Sequence, residues 1–321
     1  MDAGSMRKRL AVLAGGVCLF VLSSVFWARE AEADVDINYR EPDRGTVGTQ
    51  VEIRGQILNA GATVIIDFGN TLHITDTPSD ADGTFTAIFY VDSQSYGTKV
   101  ITARVSEALG ENPDTTTFFI LPDLYYCYPQ SGPVGELVTI MGRGFGTQTG
   151  TVTIAFGTQQ TIATGVPNQN GTFSITFFVS TQTFGTKVIT AQEINNPSII
   201  STTTFFLRSK IYYLFPTSGT FGTTITIMGN GFPGTETGTV TIHFGITQSI
   251  TSTVINNVNG TFSITFNVDT QPGGSCVITA TGLSPYGTPL ATSVFVILPE
   301  IIRVFPTQGT VSSIVTVKGR G

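Results

Sequence analysis

Four glycines, Gly45, Gly132, Gly219 and Gly309, each open a Gly-rich turn followed by a β-branched run and a further Gly, at separations of 87, 87 and 90 residues. A period of that length is one small domain, so the chain reads as a string of like units and not as one large core. Other landmarks keep the interval: Phe68-Gly69, Phe156-Gly157 and Phe244-Gly245, and Gly83-Thr84-Phe85, Gly171-Thr172-Phe173 and Gly260-Thr261-Phe262. The period divides the chain into an N-terminal segment (1–33), repeat 1 (34–121), repeat 2 (122–208), repeat 3 (209–298) and the truncated start of a fourth (299–321).

Repeat 2 shows the design most cleanly. Seven short β-prone runs, at 124–128, 137–141, 151–156, 161–164, 172–178, 186–191 and 201–207, are separated by Gly and Pro. Val152, Ile154 and Phe156 alternate with smaller or polar residues, and Phe173, Ile175 and Phe177 do the same, which is the period of a strand with one buried face. Two such sheets face to face bury their apolar sides as a sandwich, so the expected fold class is all-β, a tandem array of immunoglobulin-like sandwiches. Asp82-Gly83, Asn170-Gly171 and Asn259-Gly260 are expected in tight hairpin turns, because these dipeptides accept positive φ. The two Asn pairs also read Asn-Gly-Thr, a glycosylation sequon, but Asp82 fills the same place without one, which favours the turn.

The stretch Pro129-Gln130-Ser131-Gly132, then Val138 to Phe145 with its Gly142-Arg143-Gly144-Phe145, then Val152 to Gly157, resembles the IPT/TIG domain, an immunoglobulin-like module of plexins, certain transcription factors and many bacterial surface proteins. Repeat 3 matches through Pro216 to Gly219, Thr226 to Phe232 and Val240 to Gly245; repeat 1 departs from the pattern, with Gly55-Gln56-Ile57-Leu58 in place of Gly-X-Gly-Phe. The resemblance implies an IPT/TIG-type sandwich fold and leaves function open, since a scaffold of this kind serves many purposes. Gly142, Gly144, Gly229 and Gly231 are expected to permit a bulge or close backbone approach, with Phe145 and Phe232 plugging the sandwich edge. A phosphate-binding Gly loop would have to open a helix, and no helical periodicity follows.

Between repeats there is almost no linker: 118–125, 205–212 and 295–302 each pass from one domain's last strand to the next domain's first. Without Gly/Ser tethers, and with Pro122 and Pro299 at the joints, the array is expected to be elongated and stiff. Tyr125, Tyr126, Tyr128, Tyr212, Tyr213 and Phe215 cluster there and are expected to fill domain cores or pack one domain on the next, an aromatic ligand platform being the other reading.

Arg7, Lys8 and Arg9 precede an uncharged stretch from Leu10 to Ala28, and Ala31-Glu32-Ala33 follows, the pattern of an export signal cleaved before Asp34. The apolar stretch is long for a signal peptide, so an uncleaved membrane anchor stays open; either way the repeats lie outside the cytoplasm, secreted or at the cell surface. Without residues 1–33 the chain keeps 12 Lys/Arg against 19 Asp/Glu and no basic run, which argues against a nucleic-acid partner. Cys127 and Cys276 fall at non-equivalent repeat positions and read as isolated thiols, a bridge between chains being the alternative.

Chemistry is sought without success. His73 and His243 do not converge, and Asp67 and Ala155 at the places equivalent to His243 suggest that it is outward-facing and unconstrained. Asp67, Asp76, Asp80 and Asp82 read as solvated loop acids, with Ca²⁺ the sharper alternative. Trp27, the single Trp, lies in the export segment, so sugar stacking would fall to Tyr. No catalytic, cofactor-binding or metal-ligating residue is assigned and no cofactor is expected. The leading reading is a non-enzymatic structural or adhesive rod, partnered by a surface protein, a glycan, neighbouring repeats or its own copies through the incomplete fourth repeat. The alternative, implied by the family resemblance, is an accessory carbohydrate-binding or spacer region of a larger secreted polysaccharide-active protein.

Overall fold

The computed structural model describes residues 35–105, 112–147, 150–234, 238–283 and 288–321. The N-terminal segment assigned to export lies outside them. Every regular element among the described residues is a strand, and no helix there is long and apolar enough to cross a membrane.

The first sandwich contains β1 (Val35–Glu41), β2 (Arg44–Gly45), β3 (Gln50–Ile57), β4 (Thr63–Phe68), β5 (Thr71–Pro78), β6 (Thr84–Tyr90), β7 (Gly97–Val105) and β8 (Asp114–Ile120). The second repeats the series as β9 (Asp123–Tyr128), β10 (Ser131–Gly132), β11 (Leu137–Arg143), β12 (Val152–Phe156), β13 (Gln159–Gly165), β14 (Phe173–Phe178), β15 (Gly185–Glu193) and β16 (Ile200–Leu207). The third consists of β17 (Lys210–Phe215), β18 (Ser218–Gly219), β19 (Thr224–Asn230), β20 (Thr239–Phe244), β21 (Thr247–Val254), β22 (Phe262–Asn267), β23 (Gly274–Gly282) and β24 (Leu290–Ile297). A lone hairpin, β25 (Glu300–Phe305) and β26 (Thr316–Arg320), follows.

Each sandwich pairs a three-stranded sheet, β14-β11-β9 in the second, with a five-stranded one, β10-β16-β15-β12-β13. This is the immunoglobulin arrangement in which the fourth long strand joins the larger sheet. The seven runs expected from the sequence of repeat 2 are all strands; the eighth, the two-residue β10, is too short to show a period and is recognised only by its parallel pairing with β16. A cis peptide bond before Pro42, Pro129 and Pro216 separates each first strand from the short one that crosses to the other sheet.

Alternation places the core where it was expected. Val138 and Ile140 of β11 and Phe173, Ile175 and Phe177 of β14 face Val152, Ile154 and Phe156 of β12 across the sandwich, and all are buried. Phe156 sits between Phe177 and Phe205 at ring separations of 5.5 and 5.8 Å. Phe68 and Phe244 occupy the same station between Phe89 and Phe118 and between Phe266 and Phe295. Full burial of one such ring contributes about 1.5–3 kcal/mol, so this aromatic trio anchors each domain. The hairpin β25–β26 has no second sheet over it, and Ile301, Phe305, Ile314 and Val317 are exposed.

The turn assignment needs a correction. Gly83, Gly171 and Gly260 have φ of 81°, 71° and 69°, as the dipeptides suggested. The strands on either side are not hairpin partners, however: β13 pairs with β12, whereas β14 pairs with β11 in the opposite sheet. The positive φ serves a crossover between layers, and local sequence cannot distinguish the two because both need the same backbone reversal.

Candidate functional site

The Gly-X-Gly-Phe element and the crossover turn meet. Phe145 is wholly buried, its ring edge-on to Phe173 at 4.9 Å. A Cβ on Gly142 would stand 2.3 Å from the Phe173 ring, and one on Gly144, at φ 66°, would stand 2.6 Å from the Leu121 carbonyl oxygen. Only glycine fits either position. The Phe145 N–H donates to the Gly171 carbonyl at 3.0 Å, closing the element against the crossover turn. In repeat 1 the departure foreseen from Gln56-Ile57 takes a definite form: β3 runs on to Ile57, which is buried and donates its N–H to the Gly83 carbonyl.

The closed element is the seat for the preceding domain. In the loop between β6 and β7, Tyr96 donates its N–H to the Phe145 carbonyl at 2.9 Å, and its side chain packs against the core of the second sandwich. Its ring meets Phe119 edge-on at 5.1 Å. One repeat later Phe184 donates to the Phe232 carbonyl at 3.1 Å and meets Phe206 edge-on at 5.1 Å. Lys99 and Lys187 brace these loops through Ser95 Oγ and Thr183 Oγ1, each at 3.1 Å, and burial lowers the pKa of both amines, partly countered by Asp92 at Lys99. The third sandwich has Pro272-Gly273 and Cys276 at these positions. There Arg320, paired with Glu300 at 2.9 Å, lies over the Phe221 ring at 4.0 Å.

The aromatic cluster is placed differently from the core-filling or packing expectation. Tyr125, Tyr126, Tyr128, Tyr212, Tyr213 and Phe215 are all exposed, by 40–66%. The residues that join domains, Tyr96 and Phe184, lie in loops between strands, where a single aromatic carries no periodic signal.

His243 also needs correction. It is half-buried and held: its Nε2 is 3.0 Å from Thr281 Oγ1, and its Nδ1 accepts the Ser249 N–H at 3.1 Å. The pairing of β20 with β21 shifts register between Ile242 and Phe244, which takes the Ser249 N–H out of the ladder. Asp67 meets the same need in repeat 1, accepting the His73 N–H at 2.7 Å; Ser249 and His73 both have positive φ.

The acids of repeat 1 are engaged in two local sets, Asp67 and Asp76 meeting at His73 and Asp80 and Asp82 at Thr84. Asp67 binds Arg104 at 2.9 Å, Asp76 lies 3.3 Å from His73 Nε2, and Asp80 and Asp82 serve Thr84. Among the described residues no group of three or more His, Cys, Asp or Glu is placed to hold a metal ion. Cys127 is half-buried and Cys276 buried, in different sandwiches, and burial raises the pKa of both thiols, with Asp269 adding to the effect at Cys276. Such thiols are poor nucleophiles at neutral pH.

A repeated polar residue escaped the sequence analysis. Gln94, Gln182 and Gln271 are only 3–6% exposed. Each donates its amide to the carbonyl of the core Phe (Phe68, Phe156, Phe244) and accepts the N–H just beyond the following Gly (Asn70, Thr158, Ile246). The 88- and 89-residue spacing was the available signal.

No protein-family model and no curated protein matches this chain. Solved structures do. One is invasin, a bacterial integrin-binding protein, at 16% identity over 86% of this chain and 62% of that one, with a TM-score of 0.24. Another is dimeric latent PorU from Porphyromonas gingivalis, at 12% identity over 83% of this chain and 34% of that one, with a TM-score of 0.26. A third is the Yersinia pseudotuberculosis adhesin InvE, at 14% identity over 54% and 58%, with a TM-score of 0.26. The chain spans less than two thirds of each. At such values the likeness carries no functional argument, and the immunoglobulin-like assignment rests on strand order and pairing.

Proposed function

We propose that this chain is a non-enzymatic, exported surface protein whose IPT/TIG-type sandwiches dock end to end as a structural or adhesive rod. The observation that carries this reading is the repeated joint: Tyr96 on Phe145 and Phe184 on Phe232, each an aromatic loop residue donating its backbone N–H to the Gly-X-Gly-Phe element of the next domain. Two joints built alike, with neither a flexible linker nor a free loop between them, fix domain orientation and hold a surface at a distance. Export is supported by the basic, apolar and small-residue succession of residues 1–33. The non-enzymatic part rests on how the histidines are held: His243 Nε2 meets the Thr281 hydroxyl, but its Nδ1 accepts the Ser249 N–H and so cannot donate to an orienting acid, and His73 pairs with the exposed Asp76. Small-angle scattering of the purified chain tests the rod, with an elongated profile expected; a turnover assay on ester, peptide and glycoside substrates tests the absence of catalysis.

A further inference from the structure

The three-stranded sheets of the second and third sandwiches turn aromatic side chains to solvent, and a bulge puts two on one face. In β9 the pairing with β11 skips Tyr125, since Leu124 faces Gly142 and Tyr126 faces Met141, so Tyr125 and Tyr126 are both exposed. In β17 the skip falls at Tyr212, leaving Tyr212 and Tyr213 exposed. Hydroxyls flank these rings in register: Tyr213, Met228 and Ser263 form one row, and Phe215, Thr226 and Thr265 the next.

Beside this platform the third sandwich has an open groove of about 470 Å³, bounded by Tyr212, Met228, Val254, Asn256, Thr261 and Ser263 among others, with no charged side chain in its lining. That volume falls within the range of small-ligand sites, about 300–1,000 Å³. Repeat 2 has the same residue type at all six positions: Tyr125, Met141, Val166, Asn168, Thr172 and Ser174. The fold does not require five of the six, Thr84 being the one that repeat 1 keeps. Repeat 1 builds the same sheet with Asn38, Arg54, Pro78, Asp80, Thr84 and Thr86, two of them charged.

We infer that this face, in repeats 2 and 3, binds an uncharged polysaccharide. Tyr212, Tyr213 and Tyr126 offer ring faces to the C–H faces of sugars, and Tyr125, which has the Arg143 guanidinium over one face at 4.9 Å, offers the other. Asn256 uses its carboxamide oxygen on the N–H groups of Val258 and Asn259, and Asn168 its own on Asn170 and Thr172, so the amide N–H₂ of each is what remains for sugar hydroxyls. Charge selects a neutral ligand: the groove has none, and Arg143 at the edge of the second platform is already paired with Asp123 at 3.0 Å. Recurrence selects a polymer, because an open groove holds one sugar weakly, whereas two linked copies on one chain gain by effective concentration. This inference deepens the adhesive reading above and rests on it.

The test is affinity electrophoresis of the purified chain in native gels containing hydroxyethylcellulose, glucomannan or dextran, with heparin as the anionic control. Retardation by at least one neutral polymer is expected. It should weaken about tenfold in Tyr212→Ala/Tyr213→Ala, vanish when Tyr125→Ala/Tyr126→Ala is added, and persist when the same four residues become Phe, which keeps the rings. No retardation by any neutral polymer, retardation by heparin alone, or retardation that survives the fourfold alanine variant would each overturn the inference. So would a concentration-dependent dimer in sedimentation that the fourfold variant loses, since the face would then belong to a second copy. The exposed substitutions should leave the melting temperature and the scattering profile unchanged, so a failed rod appears in scattering and a failed platform only in the gels.

Discussion

At the scale of single residues, the most informative side chain is the buried glutamine. Gln182 joins the Phe156 carbonyl to the Thr158 N–H from 26 and 24 residues away, and a Cβ on the intervening Gly157 would come within 2.1 Å of its oxygen. Gln182→Leu removes this partner from the buried Phe156 carbonyl and from the part-buried Thr158 N–H, so a loss of about 1–3 kcal/mol is expected in urea unfolding; a loss below experimental error would contradict the capping role. Glu193 provides a pH test. Burial raises its pKa, only partly offset by the hydrogen bond it accepts from the Gly146 N–H. A carboxyl whose folded pKa lies above its unfolded value stabilises the native state as pH falls through the folded pKa toward about 4.5. Wild type should therefore gain stability relative to Glu193→Gln as pH is lowered from 7 to 5, read as the difference in melting temperature; a constant difference would sink the assignment. The repeat spacing marks Gln182, but the burial of neither residue was legible, because Gln in a polar loop and Glu at a strand end look solvated until distant backbone covers them. His243 misled for the same reason: its constraint comes from a register shift in the neighbouring strand.

Elements were far more legible. The period of two in β12 and β14 named the buried residues of both sheets, since a one-residue slip would expose the whole set. What the pattern could not show was which sheet a strand joins. The crossover before β14 looks like a hairpin turn, and only the pairing of β13 with β12 decides otherwise. The crossover also leaves no room for a side chain at its glycine. A Cβ on Gly171 would stand 2.2 Å from the Phe145 carbonyl oxygen and 2.9 Å from Ser95 Cα, at a φ of 71°. Gly171→Ala is expected to destabilise the second sandwich by about 2 kcal/mol or more, beyond the ordinary cost of alanine at positive φ. The same change should loosen the first joint, read as faster hydrogen exchange at the Tyr96 amide. Unchanged exchange would mean that the loop and the crossover are not coupled.

At the scale of the molecule, the same series of strands recurs three times along the chain, and the joints between them were not legible. The absence of linkers foretold close coupling, but the aromatic cluster nearest each boundary was the obvious candidate for the contact, and it faces solvent instead. The contact is made by Tyr96 and Phe184, whose docking depends on how two finished domains meet. Phe184→Ala keeps the backbone hydrogen bond across the joint and removes the ring that fixes its loop against Phe206 of the same sandwich, so the loop, and with it the second joint, should become more mobile while each domain stays folded. The measurement that addresses the account most directly is small-angle X-ray scattering of residues 34–321. Three docked sandwiches of roughly 30 Å each predict a maximum dimension of roughly 90 Å or more with a rod-like cross-section. A radius of gyration near the 19 Å or so of a compact globule of about 290 residues would contradict it.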